Sequence, residues 1–316
     1  MKILIAYDGS PCAEAALDDL RRAGLPAAAE AYVISVTEVW LPPPPPSVYE
    51  VVEEATTAHT PAELQMEYVK ESPSVEEARL LAAGARNRLL DNFPGWVVRA
   101  EGRYGSPARE IVRLADEWKP DLVVVGSQGH TALGRLVLGS VSQKVVTEAR
   151  NSVRVARGRV EVEPKPVRVV VGVDGSPGSE AAVREVAARC WPPGGEARVV
   201  VVDDPLVPSP FGQLIPPVTR WVEESNREER AWVQEMADEA TSRLRRAELV
   251  VSSSVVVGDP KRALVEEAER WGADCIFVGS HGFGNRLERF LLGSVSAAVA
   301  ARAHCSVEVV RAPKDE

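Results

Sequence analysis

A chain of 316 residues, 45% apolar and 26% charged, is too long for one ordinary domain and rich enough in apolar residues for two cores. A formal net charge of −9 argues against a chain-wide role on nucleic acid or an anionic membrane. Cys12, Cys190, Cys275 and Cys305 lie far apart with no CxxC, a usage that fits a reducing cytoplasm with the thiols as small core residues.

The opening MKILIAYDGS enters a strand at once and is not expected to be a signal peptide, and no apolar stretch is long enough to span a membrane. Ser10-Pro11 then reads as an N-cap and first helical residue. AYVISV is the second strand, followed by the run Pro42 to Pro46, a stiff polyproline surface segment. Ser74 with Glu77 predicts a capping box for the next helix. After the strand WVVRA, Ile111, Leu114, Ala115 and Trp118 recur at helical spacing. The strand DLVVVG leads into GSQGHTALGRLVLGSVS, SVSQKVVTEA begins a helix, and SVRVA is the last strand. GRVEVEPKP, residues 158 to 166, reads as an extended linker.

The chain is then written a second time. KILIAYDGSP at residue 2 returns as RVVVGVDGSP at 168, LGRLVLGSVS at 133 as LERFLLGSVS at 287, and NSVRVAR at 151 as CSVEVVR at 305. Ser176-Pro177 repeats the N-cap pair, and Leu264, Ala268 and Trp271 repeat the helical stripe. The expected domains are 1–157 and 167–316, joined by 158–166. Alternating strands and helices predict an α/β fold: two tandem doubly wound domains, each a mostly parallel five-stranded sheet with helices on both faces. Such sheets take ligands beyond the carboxyl ends of their strands. The Pro42–Pro46 loop and its counterpart at 205 to 217 are expected to project near that edge, where lids over the ligand are one hypothesis; for the proline run the other readings are a rigid surface loop and a ligand for a proline-binding domain.

A phosphate chain needs backbone N–H groups, no Cβ in its way and a helix N-terminus. Gly126 and Gly129 follow directly on a strand, and Gly139 precedes Ser140, Val141 and Ser142 at the start of a helix. Thr131 and Arg135 stand inside the loop as further donors. The spacing is neither a Walker loop nor GxGxxG after the first strand. As chemistry alone, it fits a phosphate cradle or a plain strand-to-helix turn.

Glycine, two residues, glycine, nine residues, then glycine and a hydroxyl resembles the ATP-binding members of the universal stress protein family. The aspartate in YDGS, the GSVS run and the final strand SVRVAR agree with it. The resemblance covers essentially the whole chain. It implies ATP, with or without Mg²⁺, held in the first copy by Ala6, Asp8, Val36, Gly126, Gly129, Gly139, Ser140, Val141 and Ser142. Asp8 falls at the adenosine end, Val36 at the adenine, and the glycine loop at the phosphates.

Copy two keeps Asp174, Val202, Gly279, Gly282, Gly293, Ser294, Val295 and Ser296, but ten residues rather than nine separate Gly282 from Gly293. The added residue falls within Phe283 to Arg286. His59, His130, His281 and His304 have no metal-ligand spacing, GSVS is not a nucleophile elbow, and paired acids such as Glu76-Glu77 and Glu266-Glu267 read as solvated helix faces. Last strands commonly pair in this family, and their alignment sets Arg154 opposite Glu308, which reads either as two unrelated edge charges that discourage aggregation or as a cross-strand pair worth about 0.2–1 kcal/mol. The resulting expectation is a cytoplasmic, ATP-binding stress-response protein acting as a sensor or switch with little or no catalysis. The alternatives are a nucleotide-free scaffold and a slow ATP hydrolase. Nucleic acid and membrane are not expected partners, the two domains form an intrachain pseudo-dimer, and a further homodimer is compatible.

Overall fold

A computed structural model describes residues 1–38, 72–129, 138–157, 165–204, 216–247, 249–281 and 292–312. The first proposed lid segment, residues 205 to 215 of the second, Thr131, Arg135, His59, His130, Gly282 and most of the linker lie outside these residues. In copy one the order is β1 (Lys2–Ala6), α1 (Pro11–Asp19), β2 (Glu30–Thr37), α2 (Pro73–Asn92), β3 (Val97–Tyr104), α3 (Pro107–Trp118), β4 (Leu122–Gly126), α4 (Ser140–Glu148) and β5 (Ser152–Ala156). Copy two follows as β6 (Arg168–Val173), α5 (Pro177–Ala188), β7 (Glu196–Asp203), α6 (Pro216–Arg245), β8 (Val250–Val257), α7 (Pro260–Trp271), β9 (Cys275–Gly279), α8 (Ser294–Arg302) and β10 (Ser306–Val310).

The inner strands are short runs of β-branched and leucine residues with no exposed surface, such as Ile3, Leu4 and Ile5 in β1, as strands covered on both faces require. Each copy forms five parallel strands, and the two sets join into one ten-stranded sheet of order β3-β2-β1-β4-β5-β10-β9-β6-β7-β8. The junction is the one antiparallel pairing among these strands, with Arg154 opposite Glu308 and Val155 opposite Val307.

Two helices start at the N-cap serines their sequences predict, whereas α6 begins at Pro216, inside the segment read as the second lid, and α2 departs from its expected cap. Ser10 caps α1 by accepting from the Ala13 N–H (3.2 Å), and Ser176 caps α5 by accepting from Ser179 N–H (3.2 Å). The Ser74–Glu77 capping box does not form. Pro73 is a better first helical residue, so α2 begins earlier, with Ser72 at the N-cap and no side-chain cap bond.

One face of the sheet carries a single apolar core that runs through both copies, from Ile111 of α3 and Val145 of α4 to Leu264 of α7 and Val299 of α8. On the other face each copy keeps its own cluster, built under α1 and α2 in one and under α5 and α6 in the other. Between those two clusters lies a ladder of buried charge. Arg154 Nε donates to Asp19 Oδ2 (2.6 Å) and Nη1 to Glu308 Oε2 (3.2 Å). Arg189 donates to the other Glu308 oxygen and to Glu185, so charge alternates along the row. Arg154 is 1% exposed and Glu308 0%, which corrects the reading of this contact as a modest cross-strand pair. The sequence placed the two residues opposite each other but did not show that α1 and α5 close over them.

Glu267 also departs from expectation. It is buried, paired with Arg198 at 2.8 Å and with Arg270, because the side of α7 that carries it packs toward the sheet. Cys275 and Cys305 are core residues as expected, whereas Cys190 is exposed and Cys12 half-buried.

Candidate functional site

The carboxyl ends of β1 and β4 sit side by side, and the chain leaves both through tight turns. Asp8 closes an Asx turn by accepting from Ser10 N–H (3.0 Å), with Gly9 at φ 75°. Gly126 lies against the first turn of α1. A Cβ there would stand 3.2 Å from the Cys12 carbonyl, so only glycine allows this approach without displacement. A Cβ on Gly129 would stand 2.9 Å from Asp8 Oδ2, which places the Asp8 carboxylate over the glycine loop. Ser10 ties the two turns together by donating to the Gln128 carbonyl (3.5 Å).

Gly139 returns to the same place, its N–H donating to the Ser127 carbonyl (2.8 Å). It is the N-cap of α4 and supplies no side-chain cap, so the first-turn N–H groups of Ser140, Val141 and Ser142 have no intrahelical acceptor. The Ser140 side chain is exposed. The Ser142 hydroxyl is buried and donates to the Gly126 carbonyl (2.6 Å), clasping the helix start to the end of β4. Ala6 and Val36, near the ends of β1 and β2, are half-buried and pack with Val141 on the core shared by both copies. The structure therefore brings the copy-one residues named from the sequence to one edge of the sheet.

Copy two repeats the plan with tighter packing. Asp174 Oδ1 accepts from both the Ser176 N–H (3.0 Å) and its hydroxyl (2.5 Å). A Cβ on Gly279 would stand 2.3 Å from the Gly178 carbonyl carbon, so α5 presses closer to β9 than α1 does to β4. Gly178, where copy one has Cys12, is itself required, since a Cβ there would lie 2.4 Å from the His281 carbonyl. Gly293 is again an N-cap without a side-chain bond, Ser294 is exposed, and the Ser296 hydroxyl donates to the Gly279 carbonyl (2.6 Å). Val202 and Val295 pack on the shared core as Val36 and Val141 do.

Sequence reasoning missed the neighbours that back these turns. Leu81 of α2 lies over Gly9, whereas Trp232 and Met236 of α6 lie over Gly175. No local signal marks them, because they arrive from helices far along the chain. Burial pushes the Tyr7 phenol above its ordinary value, with Arg88 opposing and Asp8 adding. Among the described residues no group of three or more His, Cys, Asp or Glu could hold a metal ion, and no helix is long and apolar enough to cross a membrane.

The fold and this edge define a tandem, doubly wound α/β protein whose glycine turns and uncapped helix starts meet at the carboxyl ends of its strands. The model of the universal stress protein family matches residues 1–157 and 167–311, and the chain belongs to that family. Universal stress protein Rv2005c of Mycobacterium tuberculosis is 35% identical over 228 residues, covering 68% of this chain and 69% of that protein. Universal stress protein Rv1996 of the same organism is 27% identical over 323 residues, covering 99% and 96%. The crystal structure of a universal stress protein from Archaeoglobus fulgidus shares the fold, with a TM-score of 0.66 at 19% identity over 99% of this chain and 98% of that one.

Proposed function

We propose that this universal stress protein binds ATP at the copy-one edge and acts in the cytoplasm as a nucleotide-dependent switch with little or no catalysis. The observation that carries this reading is the start of α4. A glycine N-cap leaves the N–H groups of Ser140, Val141 and Ser142 without a side-chain cap, beside Gly126 and Gly129 and within reach of the Asp8 turn. Uncapped N–H groups at a positive helix end favour a phosphate, and the glycines let the phosphate chain approach the backbone. Asp8 would accept from the sugar or base, and Ala6 and Val36 would flank the base. Ser140 can offer its hydroxyl and its N–H, whereas Ser142, whose hydroxyl is committed to Gly126, offers its N–H. ATP would supply the negative charge that the start of α4 favours, and any Mg²⁺ would be carried by the phosphates. Asp174, Val202, Gly279, Gly282, Gly293, Ser294, Val295 and Ser296 would form a second site, with less room between α5 and β9.

Calorimetric titration of ATP into nucleotide-stripped protein tests the reading. Saturable binding is expected, weakened at least tenfold, or about 1.4 kcal/mol, by Asp8→Ala and by Gly129→Val. Gly129→Val acts by pushing the Asp8 carboxylate out of place. Asp174→Ala reads the second site alone. Heat unchanged by either copy-one substitution, or no binding to folded wild-type protein, refutes the proposal.

A further inference from the structure

Among the described residues, the two outer strands of the sheet are β3 and β8. They differ in chemistry. β3 carries Arg99, Glu101 and Arg103 within eight residues, and charge of this kind discourages pairing with another chain. β8 reads VVSSSVVV with no charge at all, and Val250, Val255 and Val257 are 66%, 43% and 67% exposed.

The backbone of β8 has a definite polarity. Val250 N–H donates to the Gly195 carbonyl (3.0 Å) and Gly258 N–H to the Asp203 carbonyl (2.9 Å). Even-numbered residues therefore turn their N–H and C=O groups toward β7, and Val251, Ser253, Val255 and Val257 turn theirs outward. The segment VVSSSVV, residues 250 to 256, is a palindrome centred on Ser253. Its centre is one of the outward-turned residues, which is the condition for two copies to pair antiparallel about a two-fold axis through Ser253. Val251 would then exchange both hydrogen bonds with Val255 of the second copy, and Ser253 with its own counterpart. On the other side-chain register Val250 would face Val256, and Ser252 would face Ser254. Every cross-strand pair is valine with valine or serine with serine.

The layer above the strands is compatible with the same axis. α6 packs over both β7 and β8. Two strand spacings then set the α6 helices of the two copies about 10 Å apart, near the ordinary helix–helix packing distance. Because β3 is charged and β8 pairs with itself, the contact closes after two chains rather than running on as a filament.

We infer that β8 is a homodimer edge, where a second copy of this chain adds antiparallel and continues the sheet. This does not depend on nucleotide binding. Light scattering on the size-fractionated full chain should give twice the 34.1 kDa of one chain. Ser253 is exposed, so Ser253→Lys and Ser253→Glu leave each chain's own core intact. Each variant alone should halve the mass by setting like charges face to face, while its circular dichroism spectrum stays that of the folded wild type. Mixing the two should restore the dimer. A wild-type monomer at high micromolar concentration, a dimer that survives Ser253→Lys, or a mixture that stays monomeric would each overturn the inference.

Discussion

Lys119 ends α3 in the left-handed conformation, φ 51° and ψ 62°, while its counterpart Gly272 ends α7 at φ 69°. A side chain in that region costs about 1–2 kcal/mol, partly offset in glycine by its larger unfolded-state entropy. Lys119→Gly is therefore expected to stabilise the protein by up to about 1 kcal/mol, read as a shift in urea midpoint with unchanged slope. A neutral or negative shift would show that another contact holds Lys119 in place.

Glu308 also belongs to this scale. Burial raises its carboxyl above the ordinary value of 4.5, while Arg189 and Arg154 work against the rise. A carboxyl that holds its proton more tightly when folded contributes stability below its unfolded pKa. It loses that contribution as pH climbs through the folded value. The stability difference between wild type and Glu308→Gln should therefore shrink from pH 4.5 toward neutrality. A difference that widens over that range would mean the two arginines outweigh burial.

Among elements, the seam between β5 and β10 is held reciprocally. Arg157 donates to the Ala300 carbonyl of α8 (2.6 Å), and Arg311 donates to the Val146 carbonyl of α4 (2.9 Å). Each copy's last strand thus ends on the other copy's last helix. Beneath them, Arg154 neutralises Asp19 and Glu308 together. Arg154→Met leaves two buried carboxylates without it and should cost about 3–5 kcal/mol. The double variant Arg154→Met with Glu308→Met should cost less than the two single changes added together, because it also removes a stranded charge. Strict additivity in chemical unfolding would show that the two charges do not interact.

For the whole molecule, the repeated strand and helix patterns made two doubly wound units legible, since short β-branched runs and helical stripes are local properties. Ser10, Ser176, Gly139 and Gly293 were legible for the same reason, as turn and cap chemistry acts over three or four residues. The site residues were named through spacing and family resemblance, and the structure adds their convergence: Gly129 beneath Asp8, and Gly139 bonded to Ser127. Asp19 and Arg189 were not legible as partners of Arg154 and Glu308, and Glu267 looked like a surface acid. Burial of a charge is decided by which helix closes over it, and residues far along the chain supply that helix.

By itself, the sequence determined the duplication, the alternating elements, the glycine loops and the charge opposition across the last strands. Each of these is written in neighbouring residues or in the alignment of the two copies. Only the tertiary structure decided that the sheets merge into one, that the opposed charges lie buried in an alternating ladder, and that α5 sits closer to its glycine turn than α1 does. Those outcomes depend on long-range packing, where a difference as small as Gly178 in place of Cys12 sets how near a helix comes to a strand.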